Sequence, residues 1–205
     1  MAVGLLIAIT KQNAIPYEDL LLDPSQYQGR PWYTGLVSNL GVLAWTVAAA
    51  AATGGAWIAN AARRHGATAM LRGGALLTTL LLLDDLFQLH IIVPKTLGLP
   101  KVSFYGLYLV LSVWWLSSSW FELRRTRRLL LTAAVIALGC SVLFDQVAAT
   151  GGGLVAEDSA KFLGILAWAL YFVTTTRDIA RSVLNELLAR SSDLQQEILT
   201  SRGQT

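Results

Sequence analysis

Residues 69–93 read AMLRGGALLTTLLLLDDLFQLHIIV. Beyond Arg72 the stretch is apolar, and at ~1.5 Å per residue it can cross a hydrocarbon core of about 30 Å. Asp84 and Asp85 interrupt it side by side. A carboxylate in hydrocarbon is costly, so such residues face a bundle interior or a watery cavity and mark functional positions. The stretch therefore implies both a membrane-spanning helix and a polar site inside the bundle.

The whole chain agrees. Of its 205 residues, 54% are hydrophobic and 14% charged, against about 25% charged in a soluble domain. That leaves little polar surface to coat a globule. The expected class is all-α: a polytopic transmembrane helical bundle over 1–177, followed by a cytoplasmic amphipathic helix and tail over 178–205. Five runs are long enough to span: Gly35–Asn60, Ala69–Val93, Phe104–Phe121, Leu129–Ala148 and Val155–Thr175. The short apolar run Met1–Thr10 makes an incomplete sixth helix, and it lacks the basic start and cleavage site of a signal peptide. No discontinuous helix is legible among the five runs, and no repeat symmetry relates them. Pro94 and Pro100 are expected to bound the loop after the second span.

The formal charge of +3 does not imply nucleic acid, because the arginines border apolar runs. Arg63, Arg64 and Arg72 surround the first turn, Arg124, Arg125, Arg127 and Arg128 fill a later loop, and Arg177 and Arg181 follow the last run. If all five runs cross, these groups share one face, which the positive-inside rule makes cytoplasmic in a bacterial inner membrane. Trp32 and Tyr33 would anchor the outer surface, Trp120 and Phe121 the inner one. Small residues Ala48–Ala52 and Gly54–Ala56 in the first run suit close helix contact. The single cysteine, Cys140, forms no internal disulfide.

On this orientation the ionisable groups gather in the outer half of the membrane. Asp84, Asp85, Asp145, Glu157 and Asp158 form the expected cation- or proton-binding set, supported by Gln88, His90, Ser141 and Lys161. Two adjacent carboxylates away from water do not both ionise easily. They need a shared proton, a bound cation, or a pairing cation such as Lys161. Lys161 is spaced to reach Glu157 or Asp158 on its own helix. As metal ligands, Asp84, Asp85, His90, Asp145 and Glu157 would offer mostly oxygen, favouring a hard divalent cation such as Mg, Mn or Ca. Glu122 and Arg125 read as a solvated surface pair.

Three functions fit: ion or proton handling, metal-dependent hydrolysis of a lipid within the membrane, and a non-catalytic subunit or scaffold. The residue types around Asp84 to His90 loosely resemble the alkaline ceramidases and related membrane hydrolases, which would imply a zinc site. Those enzymes use several histidines, including a late pair; this chain has only His65 and His90. No phosphate loop, dinucleotide fingerprint, GxSxG or HExxH is present. Ion or proton handling ranks first. Beyond Thr176, the residues Ile179, Val183, Leu184, Leu187, Leu188, Leu194 and Ile198 recur at helical spacing among charges. The stripe Ile179–Ile198 is expected to contact the bilayer surface, a copy of itself, or a membrane partner.

Overall fold

A computed structural model describes residues 35–98, 100, 102–147 and 152–202; within these, side chains at 91, 102, 145–147, 152–155, 197–198 and 200–202 are not described. The Met1–Thr10 segment, Trp32 and Tyr33 lie outside the described residues. Those residues form seven helices: α1 (Leu36–Ala61), α2 (His65–Phe87), α3 (Leu89–Leu97), α4 (Val102–Ser118), α5 (Trp120–Leu123), α6 (Arg128–Val147) and α7 (Gly152–Arg202).

Three of them are long and apolar enough to cross a membrane: α1, α2 and the Ala156–Gln196 stretch of α7. Helix α6 is a shorter apolar helix over its described part, Arg128–Phe144, and α4 has 17 residues. Three of the five expected spans thus have the length and apolar content of a full crossing. The last apolar run and the amphipathic segment after it are one continuous helix of 51 residues.

Two sequence expectations fail around the second run. That run divides at Gln88, which adopts a left-handed backbone (φ 52°, ψ 40°) and separates α2 from α3. A left-handed conformation at a residue other than glycine is uncommon and breaks a right-handed helix. Pro94, expected to bound a loop, sits inside α3. Having no N–H, it forfeits one hydrogen bond to the preceding turn.

Helix α7 is the spine. Along α2 its contacts run in opposite directions: Lys161 meets Asp85, Trp168 Nε1 donates to Thr78 Oγ1 at 2.9 Å, and the Phe172 ring lies against Gly74. Partners step seven and then four residues, so one face of each helix meets one face of the other antiparallel. Along α1 the contacts ascend together, from Gly41 near Ile165 to Trp45 with Trp168 and Thr176 Oγ1 donating to the Ala51 carbonyl. Helices α1 and α7 are therefore parallel. The buried face of α1 includes Gly41, Ala48, Ala52, Gly55 and Ala56, the small residues that let helices approach closely. Helix α6 returns antiparallel, with Arg127, just before it, at Asp178 and Leu138 against Gly164.

The centre is aromatic. Trp168 has ring centroids at 6.2 Å from Trp45, 5.6 Å from Trp115 and 5.5 Å from Phe172. Such pairs contribute about 0.5–1.5 kcal/mol each beyond burial. Trp115 Nε1 donates to the Met70 carbonyl at 2.9 Å, which joins α4 to α2. Outside this core, Leu43, Val47 and Trp57 of α1 and Leu109, Val110 and Trp114 of α4 are exposed. An apolar exterior this extensive belongs in lipid.

The arginines meet at one end. Arg64 donates to Ser182 Oγ at 2.9 Å and pairs with Glu186, while Arg127 reaches Asp178 at 3.1 Å. The Arg127 hydrogen bond, followed by the charges of Arg127 and Arg177, holds the Asp178 carboxyl below the usual carboxylate range. Arg125 lies 3.7 Å from Glu122.

Glycine substitutions test this packing. A Cβ at Gly74 would sit 2.5 Å from Phe172, a ring fixed among other buried aromatics, whereas one at Gly54 meets nothing within 4 Å. Gly74→Ala should destabilise the detergent-solubilised protein by about 1–3 kcal/mol. Gly54→Ala should be neutral or slightly stabilising, since alanine is the better helix former. Thermal unfolding that ranks the two equally would contradict the α2–α7 contact.

Candidate functional site

The site forms at the end of the bundle away from the arginines, where α2 stops. Asp84 is buried and Asp85 half-buried. Because Gln88 turns the chain, the first turn of α3 comes within reach of Asp84. Asp84 Oδ1 then accepts the His90 backbone N–H at 2.7 Å, and Oδ2 lies 3.0 Å from His90 Nδ1. The first contact supplies an acceptor to one of the N–H groups that open a helix without a partner. The second fixes the imidazole: facing a carboxylate, Nδ1 carries the proton, and Nε2 becomes the nitrogen that can accept one. An uninterrupted helix would place His90 about 140° from Asp85, at roughly 100° per residue. The break is what brings it to Asp84.

Asp84 has a third neighbour from another helix. The Tyr108 hydroxyl of α4 approaches its carboxylate, and the Tyr105 ring, one turn earlier, lies 6.0 Å from the His90 ring. A buried carboxylate surrounded by donors is stabilised by each of them.

Asp85 points to the opposite neighbour. Its Oδ1 accepts from Lys161 Nζ on α7, and its Oδ2 lies against Gly41 of α1. Lys161 therefore bonds across to α2, whereas the sequence spacing directed it along its own helix. Asp158 stands one turn before Lys161 and lies within electrostatic range of both Lys161 and Asp85. Glu157 is half-buried and makes contacts of its own, as does Gln88.

Ser141 is buried on α6. The Leu138–Gly164 approach sets the antiparallel register, which puts Ser141 at the level of Lys161. The backbone of Asp145 falls one turn further, near the level of Glu157; its side chain lies outside the described residues.

The structure thus brings Asp84, Asp85, His90, Asp158 and Lys161 to one end of α2 and α7, as two pairs with Asp158 beside the second. Among the described residues, no group of three or more His, Cys, Asp or Glu side chains is placed to hold a metal ion. Of the expected ligands, Asp84 and His90 touch, whereas Asp85 is turned toward Lys161. Tyr108 and Tyr105 were missed in sequence, because a tyrosine within an apolar helix carries no local signal of its partner.

Breaking one member of a buried ion pair is more damaging than removing both. Asp85→Asn and Lys161→Met should each lower stability by about 1–3 kcal/mol, less than the loss of one partner from a fully buried pair, because Lys161 is partly exposed. The double variant should lose less than the two effects added together. Strict additivity in thermal unfolding would show that the two side chains do not interact.

The chain matches, over residues 1–175, the family described as "Domain of unknown function (DUF8692)". No curated protein and no solved structure matches it.

Proposed function

The chain belongs to the DUF8692 family, and for it we propose proton handling by a polar site within a membrane bundle. The observation that carries this reading is the pairing of consecutive aspartates with two different bases, His90 for Asp84 and Lys161 for Asp85, at a break in an apolar helix. Interrupted helices in membranes are tolerated where the backbone is buried in protein or lines a cavity, and many transporters place their sites there. A cation site would need carboxylates directed at a common ion. Here each carboxylate already faces a titratable base, which favours protons over a metal cation.

The chemistry follows from the pairs. Asp84 orients His90 and stabilises the imidazolium formed when Nε2 takes up a proton. Lys161 and Asp85 hold opposite charges that cancel. Protonating Asp85 would release Lys161 toward Asp158, its next acidic neighbour. A proton passing from the His90 imidazolium to Asp85 would then leave the Asp84 carboxylate held by hydrogen-bond donors alone, from His90 and Tyr108, while Asp158 meets the Lys161 charge.

The topology proposed with this site has five crossings, by α1, α2 with α3, α4, α6 and α7. The parallel contact of α1 with α7 and the antiparallel contact of α2 with α7 fit that topology. The arginine end would face the cytoplasm of a bacterial cell, and the proton site the opposite leaflet. One alternative has a specific observation in its favour. Each aspartate is satisfied within its own chain, as a purely structural helix lock would need, and that would suit a non-catalytic subunit.

Proton flux separates the two. In liposomes containing a pH-sensitive dye, the wild-type protein should dissipate a pH gradient faster than empty vesicles. Asp84→Asn and Asp85→Asn should each reduce that rate at least about tenfold while the protein stays folded, in line with general acid–base contributions of 10²–10⁴. Wild-type flux equal to that of empty vesicles would remove the proposal and leave the structural lock.

A further inference from the structure

The part of α7 beyond Arg177 presents two unlike faces. One is tethered to the bundle: Asp178, Ser182 and Glu186 engage Arg127 and Arg64 from the two arginine loops. At about 100° per residue, Leu184, Leu187 and Leu194 lie roughly 80–160° around from Glu186. Tethering the first face therefore turns the second outward. Leu184, Leu187 and Leu194 are 55%, 56% and 61% exposed.

The helix continues unbroken to Arg202, projecting about 38 Å past Arg177 at ~1.5 Å per residue. Without a break at the border, α7 has no place to bend down onto the lipid surface. That argues against an interfacial helix and for a protein partner. Two copies inserted the same way carry this segment on the same side and at the same height, so they meet parallel and in register. Confinement to one membrane also raises their effective concentration.

The sequence suits that geometry. Spacings of three and four alternate along Ala180, Leu184, Leu187, Ser191, Leu194 and Ile198, the a/d seam of a coiled coil. The Ser191 hydroxyl already bonds the Leu188 carbonyl at 2.8 Å, so the seam buries no orphaned donor there. At the flanking positions a parallel pair sets Val183 opposite Leu188 and Arg190 opposite Gln195. The first of these pairs is apolar, and in neither do like charges face each other. We infer that this chain forms a parallel homodimer through the Leu184–Ile198 seam of α7. The inference is independent of the proton chemistry and rests only on insertion of both copies in one orientation.

Cysteine cross-linking of the full chain in liposomes tests it. In a Cys140→Ser background, Ser191→Cys on the seam should form an intermolecular disulfide under mild oxidation, because equivalent seam residues face each other across the twofold axis. Ala189→Cys, on the tethered side, should form at least tenfold less. By light scattering in detergent, the wild-type protein should have twice the chain mass, and the Leu187→Glu, Leu194→Glu double variant the mass of one chain with its helix content retained. A wild-type monomer at all concentrations, or cross-linking at Ala189→Cys equal to that at Ser191→Cys, would overturn the inference and assign the leucines to lipid or to a different protein.

Discussion

A charge in a medium that cannot solvate it must find an opposite charge or a set of donors, and this bundle is arranged around that requirement. Lys161 of α7 and Asp85 of α2 satisfy each other, with Gly41 of α1 beside the carboxylate. The contact fixes where α2 stands along α7. From there the register continues inward through Trp168 on Thr78 and Phe172 on Gly74. Polar pairing at one end and aromatic packing at the centre are thus two parts of one helix contact.

The second aspartate has a different solution. Asp84 cannot use Lys161, since successive residues on a helix diverge by about 100°. It is served instead by chain that comes after it, through a turn at Gln88 whose left-handed backbone is itself unfavourable. The backbone N–H and imidazole of His90 offset that strain. Strain held by specific side-chain contacts is characteristic of sites in which geometry matters to function. The same turn makes α3 a separate short helix whose His90 ring meets Tyr105 of α4, while Tyr108 of α4 reaches Asp84 itself.

Much of this was legible in sequence, for physical reasons. Hydrophobic runs reveal helices, and arginines reveal their polar borders, since both reflect solvent preference residue by residue. The small face of α1 and the buried setting of Asp84 follow from the same logic. The break at Gln88 was invisible because glutamine is an ordinary helix residue, and only the tertiary contacts of His90 select its left-handed state. Pro94 misled in the opposite direction: it signals a boundary, yet α3 is short enough to carry it near its middle. The choice of Lys161 partner was equally hidden. Spacing along one helix favours Glu157 or Asp158, and only packing brings Asp85 closer. Three of the five expected spans, in α1, α2 and α7, are long and apolar enough by themselves, whereas apolar content alone does not fix where α4 and α6 begin and end.

The pairing of Asp85 with Lys161 inside a bilayer is the claim on which the rest stands. Solid-state NMR on the protein in lipid, with labelled lysine nitrogen and aspartate carboxyl carbon, reads that distance directly. The account predicts a dipolar coupling matching a nitrogen-to-oxygen contact within about 4 Å, lost in Asp85→Asn or Lys161→Met. A Lys161 ammonium with no carboxylate carbon coupled to it, or one coupled unchanged after Asp85→Asn, would contradict it.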